Sequence, residues 1–113
     1  MPVTIYHNPR CTTSRKALSL LRDNGVEPQI VEYLKTPPSA AELKDILGLL
    51  DLPAARLLRK KEAAAAGIDP KTLSEEALIA AMVAHPIVIE RPIVVAGRKA
   101  ALGRPAEAVL AVV

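Results

Sequence analysis

The sequence predicts an α/β fold, a four-stranded mixed sheet flanked by helices, with a helical insertion between strands 2 and 3. Three observations carry this. The chain opens with an apolar run, a turn, a helical stripe and a second extended run. Its middle then shows only helix caps and helical stripes. Its last third has two strand-like runs so close that they must form a hairpin. The chain reads as one domain, 1–113, with the insertion at about 39–85.

Val3-Thr4-Ile5-Tyr6 is β-branched and aromatic, as a buried strand requires. Asn8-Pro9 forces a turn, and Ala17, Leu18 and Leu21 follow at helical spacing. Thr12, Thr13 and Ser14 offer hydroxyl caps for the new helix. Asp23-Asn24-Gly25 stops that helix, with Gly25 suited to a left-handed position after it. Gln29-Ile30-Val31-Glu32-Tyr33 alternates as a half-buried strand, completing a β–α–β unit with parallel strands.

Thr36-Pro37-Pro38 breaks the chain, and Ser39-Ala40-Ala41-Glu42 is a capping box before Leu43, Ile46, Leu47 and Leu50. Pro53 opens a short helix carrying Leu57 and Leu58, which ends in Arg59-Lys60-Lys61-Glu62. Helix continues weakly through 63–66 until Gly67 and Pro70. Ser74-Glu75-Glu76 starts a helix with Leu78, Ile79, Met82 and Val83 inward, stopped at His85-Pro86. Ile93-Val94-Val95 and Ala100-Ala101-Leu102 are the hairpin strands, and Gly103-Arg104-Pro105 starts a final helix with Val109 and Leu110 inward.

The functional signal is His7-Asn8-Pro9-Arg10-Cys11-Thr12-Thr13-Ser14-Arg15. It places Cys11, the only cysteine, at a strand-to-helix junction. Free backbone N–H groups and the helix dipole there favour a thiolate and a bound anion. Arg10 and Arg15 add positive charge, as His7 would if protonated. A lone cysteine is often only a small buried hydrophobe, but polar and basic neighbours do not suit a packed core.

Composition excludes several classes. Half of the 113 residues are hydrophobic, with no Phe or Trp, so Leu, Ile, Val and Ala must build the core. One cysteine cannot make an internal disulfide. Polar residues within the first ten leave no room for a signal peptide, and no apolar run spans a membrane, so a cytoplasmic protein is expected. The net charge of +3 and the Arg59-Lys60-Lys61 cluster, without interleaved aromatics, do not indicate nucleic-acid binding. His7 and Cys11 lack further ligands for a metal site, and His85 reads as a helix-end residue. With no heptad or long apolar edge, a monomer is expected.

The element order, with cysteine at the first strand–helix turn, is similar to the thioredoxin-like fold. The cysteine segment resembles the H-N-P-x-C-x-x-S-R signature of the glutaredoxin-coupled arsenate reductases, the ArsC family. Thr36-Pro37-Pro38, Leu58-Arg59-Lys60, His85-Pro86-Ile87, Arg91-Pro92-Ile93-Val94-Val95 and Gly103-Arg104-Pro105 also fall in that family's order. Essentially the whole chain is covered.

The resemblance implies that Cys11 is the nucleophile toward arsenate and that His7 and Ser14 stabilise its thiolate. It implies that Arg59, Arg91 and Arg104 surround the oxyanion, and that Pro92 is a cis-proline facing the cysteine. Guanidinium suits that task independently, since it presents forked donors and stays charged. For Arg59 alone, a surface charge over apolar neighbours is an adequate reading. No bound cofactor is implied. Glutathione as co-substrate and glutaredoxin as partner would supply the second thiol that this chain lacks.

Two rival readings differ in class. A cysteine phosphatase loop needs Cys-x5-Arg, and Ala17 occupies that place. An Spx-like redox regulator of transcription, or an orphan ArsC-family thiol oxidoreductase, shares the fold. The Spx sensor is Cys-x-x-Cys, and Ser14 holds the second position here. The chain also departs from well-known reductases in ending at Val113, before a further C-terminal segment, and in having Thr12 where a small residue is common.

Overall fold

The computed structural model describes residues 2–113, which divide into two compact units: residues up to 36 together with 91–113, and residues 37–90. The first unit holds the sheet. β1 (Val3–His7) pairs in parallel with β2 (Gln29–Glu32) and antiparallel with β3 (Ile93–Ala96). β3 pairs antiparallel with β4 (Lys99–Leu102), giving the order β2-β1-β3-β4. The mixed four-stranded sheet is thus as the residue pattern predicts. Ile5 lies opposite Ile30 on one side and Val94 on the other.

α1 (Thr12–Asp23) crosses between the two parallel strands. Its buried Ala17 and Leu21 join Ile5, Val94, Ala106 and Val109 in one core cluster. Each fully buried Leu or Ile there contributes roughly 1.5–3 kcal/mol by leaving water. Gly25 takes φ 78 just beyond α1, and its N–H reaches the Arg22 carbonyl, the left-handed stop the sequence anticipates.

Three details differ from expectation. Cys11, not a hydroxyl residue, is the N-cap of α1, and no side chain caps that end. Ser14 cannot cap because its hydroxyl is turned to His7 and the Asn8 N–H. β2 stops at Glu32, and Tyr33 is buried in the following turn. The last helix, Ala106–Val112, is wound as a 3-10 helix, with the Ala108 N–H on the Pro105 carbonyl. So short a segment gains little from α-helical cooperativity, and packing of Ala106 and Val109 decides its form.

The second unit is helical. α2 (Ala40–Leu50) begins with the expected capping box: the Glu42 N–H donates to Ser39 Oγ and the Ser39 N–H to Glu42 Oε1. A 3-10 turn, Ala54–Leu57, follows Pro53. α4 (Glu75–Ala84) packs on both α2 and this turn, burying Leu78, Ile79 and Met82. Glu75 does more than favour its own helix dipole, since its Oε2 accepts the Ala54 N–H at 2.9 Å.

The helix expected from Pro53 does not run on through Arg59. Leu58 turns extended and bridges Ile89 antiparallel, with the Glu90 N–H on the Leu57 carbonyl and the Arg59 N–H on the Val88 carbonyl. Burial of Leu58 and Ile89 favours this bridge over continued helix. Arg59 then caps a new helix, α3 (Lys60–Ala65). Among the described residues, no helix is long and apolar enough to cross a membrane.

Candidate active site

Cys11 sits where β1 has turned into α1. Asn8 makes the turn: its carbonyl accepts the Cys11 N–H at 3.0 Å, and its side-chain Oδ1 accepts the Arg10 N–H at 3.0 Å. The Cys11 backbone is extended (φ −93°, ψ 121°), so the sulfur stands at the mouth of the helix rather than along its side. The sulfur is partly exposed and in no disulfide.

The electrostatics come from two directions. Burial acts to raise the Cys11 pKa. The Ser14 N–H, the Arg91 guanidinium by hydrogen bond and by charge, and the Thr13 N–H together outweigh it. The thiol therefore lies below its ordinary value, and the thiolate fraction near neutrality is enlarged.

The cationic support comes from the far end of the chain. Arg91 is almost fully buried, and Arg104 Nη2 stands 3.6 Å from Cys11 Sγ. Arg104 Nε donates to the Arg91 carbonyl at 3.0 Å, which ties the two arginine segments together. Both arginines precede prolines through cis peptide bonds, Arg91–Pro92 and Arg104–Pro105. Pro92 is fully buried. Arg15, read as a nearby charge, instead donates to the Pro9 carbonyl at 2.9 Å and to Thr12 Oγ1 at 3.3 Å. It buttresses the loop.

His7 and Ser14 form a pair beneath the loop. His7 Nδ1 lies 2.6 Å from Ser14 Oγ, which also accepts the Asn8 N–H at 3.1 Å. An oxygen already accepting one hydrogen bond can donate its own proton to Nδ1, which suits a neutral ring protonated on Nε2. Burial pushes the His7 pKa down, opposed by Glu32 and aided by Arg15 and Arg22. His7 therefore adds no positive charge near neutral pH, contrary to the protonated form considered from sequence. Ser14 serves Cys11 through its backbone N–H, while its side chain holds His7 and Asn8.

Arg59 belongs to the second unit. Its Nε is paired with Glu62, and its Nη1 donates to Glu90 Oε1 at 2.7 Å. Burial works to lower its pKa, but the two carboxylates raise it overall. The surface-charge reading of Arg59 therefore misses its fixed geometry, in which two acids hold one guanidinium. Neither Glu62 nor Glu90 was singled out from sequence, because nothing marks a carboxylate's partner before the chain folds.

Gly103 opens the Gly103-Arg104-Pro105 segment, and the structure adds a contact that the sequence does not show. Its N–H donates to the Pro92 carbonyl at 2.8 Å, just beside Arg104. Among the described residues, no cluster of three or more His, Cys, Asp or Glu side chains could hold a metal.

The arrangement is a partly exposed sulfur with a depressed pKa, backed by helix N–H groups and two linked guanidiniums. Chemically it can hold an oxyanion against a nucleophile. Comparison with known proteins gives the same direction. A family model for the ArsC family matches residues 6–112. The chain is 54% identical over 114 residues to the uncharacterized protein YfgD of Escherichia coli, covering 98% of this chain and 96% of that one. It is 48% identical over 113 residues to a protein named arsenate reductase from Neisseria meningitidis, covering 97% of each. A solved arsenate reductase from Vibrio cholerae superposes with a TM-score of 0.90 at 44% identity, covering 100% of this chain and 98% of that chain. The fold is thioredoxin-like.

Proposed function

The chain belongs to the ArsC family, and from that premise we propose that it is an arsenate reductase in which Cys11 is the nucleophile. The Cys11 sulfur attacks arsenic(V) and one arsenate oxygen leaves as water, giving a thiol–arsenate adduct. Arsenic is not yet reduced at that point. A second thiol then attacks the Cys11 sulfur, the S–As bond breaks, and its electron pair leaves with arsenic as arsenite. Two thiols are thereby oxidised to one disulfide, which balances the reduction from arsenic(V) to arsenic(III).

The chain has one cysteine, so the second thiol comes from outside. Glutathione fits that role, and glutaredoxin would return the Cys11–glutathione disulfide to thiol. Arg91 and Arg104 offset repulsion between thiolate and anion and stabilise charge on the arsenate oxygens in the transition state. Arg59, the third arginine that the resemblance offers, lies in the second unit, where Glu62 and Glu90 hold its guanidinium.

The observation that carries this reading is the meeting of Arg91 and Arg104 at the Cys11 sulfur, the latter at 3.6 Å. The test is NADPH consumption with arsenate, glutathione, glutaredoxin and glutathione reductase, with phosphate as control. Turnover that requires arsenate and stops without glutaredoxin supports the whole route. A reactive Cys11 with no arsenate-dependent turnover would sink it, and would favour a different thiol substrate.

A further inference from the structure

We propose that Gly103 is a positioning residue for the oxyanion site: it lets β4 leave the sheet close enough to Pro92 to aim Arg104 at Cys11. The proposal rests on the reading above only for the purpose of the site, since the geometry is independent of substrate.

The backbone of Gly103 has no left-handed φ, so conformational freedom does not explain the glycine. Space does. A Cβ at this position would lie 2.6 Å from Pro92 Cγ, 3.1 Å from Pro92 Cδ and 3.0 Å from Val109 Cγ1. Real Cβ contacts under 3.0 Å are essentially never seen. The proline ring is fully buried and cannot swing aside as a long flexible side chain would.

The close approach has a definite product. With no side chain in the way, the Gly103 N–H bonds the Pro92 carbonyl at 2.8 Å. The next residue, Arg104, then folds back, its Nε on the Arg91 carbonyl at 3.0 Å and its Nη2 at 3.6 Å from the sulfur. Its own N–H turns to the Leu102 carbonyl at 2.9 Å, which fixes the bend. One glycine therefore sets the separation between the segment carrying Arg91 and the segment carrying Arg104. A methyl group there must push the two apart, and the Arg104–sulfur contact is at the end of that lever.

The test is the pH profile of Cys11 alkylation by iodoacetamide in Gly103→Ala, with wild type and Arg104→Ala as references and circular dichroism to confirm folding. The expected result is a folded Gly103→Ala protein whose profile moves up in pH toward that of Arg104→Ala, with KM for arsenate raised more than kcat is lowered. A folded variant with the wild-type profile overturns the proposal. Should Gly103→Ala not fold, Gly103→Ala with Val109→Ala relieves the second clash and leaves the one with Pro92. That protein should fold and keep the shifted profile. Recovery of the wild-type profile in it, or failure of both variants to fold, would make Gly103 a packing residue only and overturn the proposal. Alkylation needs no arsenate, so failure of this inference and failure of the arsenate reading are separately visible.

Discussion

Arg104 Nη2 stands 3.6 Å from Cys11 Sγ, although the two residues are 93 positions apart in sequence. The contact exists because β3 returns alongside β1, from which the cysteine loop departs, and β4 folds back on β3. Cys11 is supplied by the first β–α turn, and its cationic neighbours by the last hairpin. A thiolate at a helix N-terminus is a local device, but its arginine support is a tertiary one.

Arg91 hydrogen-bonds the Cys11 sulfur and attracts it by charge, so its removal leaves burial opposed by the helix N–H groups and by Arg104 alone among the arginines. Arg91→Ala should move the pH midpoint of Cys11 alkylation upward and slow alkylation near neutral pH. An unchanged midpoint in a folded variant would show that the helix terminus and Arg104 lower the thiol pKa without Arg91.

Ser14 is fully buried and is the one oxygen joining His7 to the Asn8 backbone. Ser14→Ala leaves a buried N–H and a buried ring nitrogen without that partner. It should destabilise the protein by about 1–3 kcal/mol, the cost of such unsatisfied groups, read from denaturant unfolding. A loss within a few tenths of a kcal/mol would mean that water replaces the hydroxyl.

His7 makes stability depend on pH. Its folded pKa is lowered, first by burial, so below the ordinary value of about 6.5 the unfolded chain binds more protons than the folded one. Stability then rises with pH, and it falls as pH drops from about 7 to 5.5, above the carboxylate range. His7→Asn keeps a polar group toward Ser14 but does not titrate. It should flatten this part of the unfolding-midpoint curve, and an equally steep curve would place the dependence elsewhere.

Arg59 and Glu90 are mostly buried and paired at 2.7 Å. A double-mutant cycle with Arg59→Ala and Glu90→Ala should give a coupling energy on the order of 1 kcal/mol in unfolding measurements. Zero coupling would mean that Glu62 alone holds the guanidinium.

Local chemistry made much of the fold legible. Ser39 and Glu42 announce α2, Gly25 ends α1, and the short spacing between 93–95 and 100–102 requires a hairpin. What local pattern could not carry was competition between partners. Three consecutive hydroxyls looked like helix caps, but Ser14 Oγ satisfies a strand-end histidine and a backbone N–H instead. Leu58 looked helical, and its pairing with Ile89, 31 positions away, depends on a bridge no periodicity reveals. At the site, the motif located Cys11, while Arg91 and Arg104 were identifiable only through family resemblance. Arg10 and Arg15 are the nearer charges in sequence, yet Arg91 and Arg104 are the cations that reach the sulfur. Gly103 carried no signal of its own, because the ring it must clear belongs to Pro92 on another strand lead-in.

The most direct measurement is the intact mass of the protein after incubation with glutathione and arsenate, without glutaredoxin, beside a sample lacking arsenate. The mechanism predicts one glutathionyl group on Cys11, formed only when arsenate is present, with arsenite released in equal amount. Cys11→Ser should gain none. No arsenate-dependent modification of a protein whose Cys11 still alkylates would contradict the assignment of that sulfur as the arsenate nucleophile resolved by an external thiol.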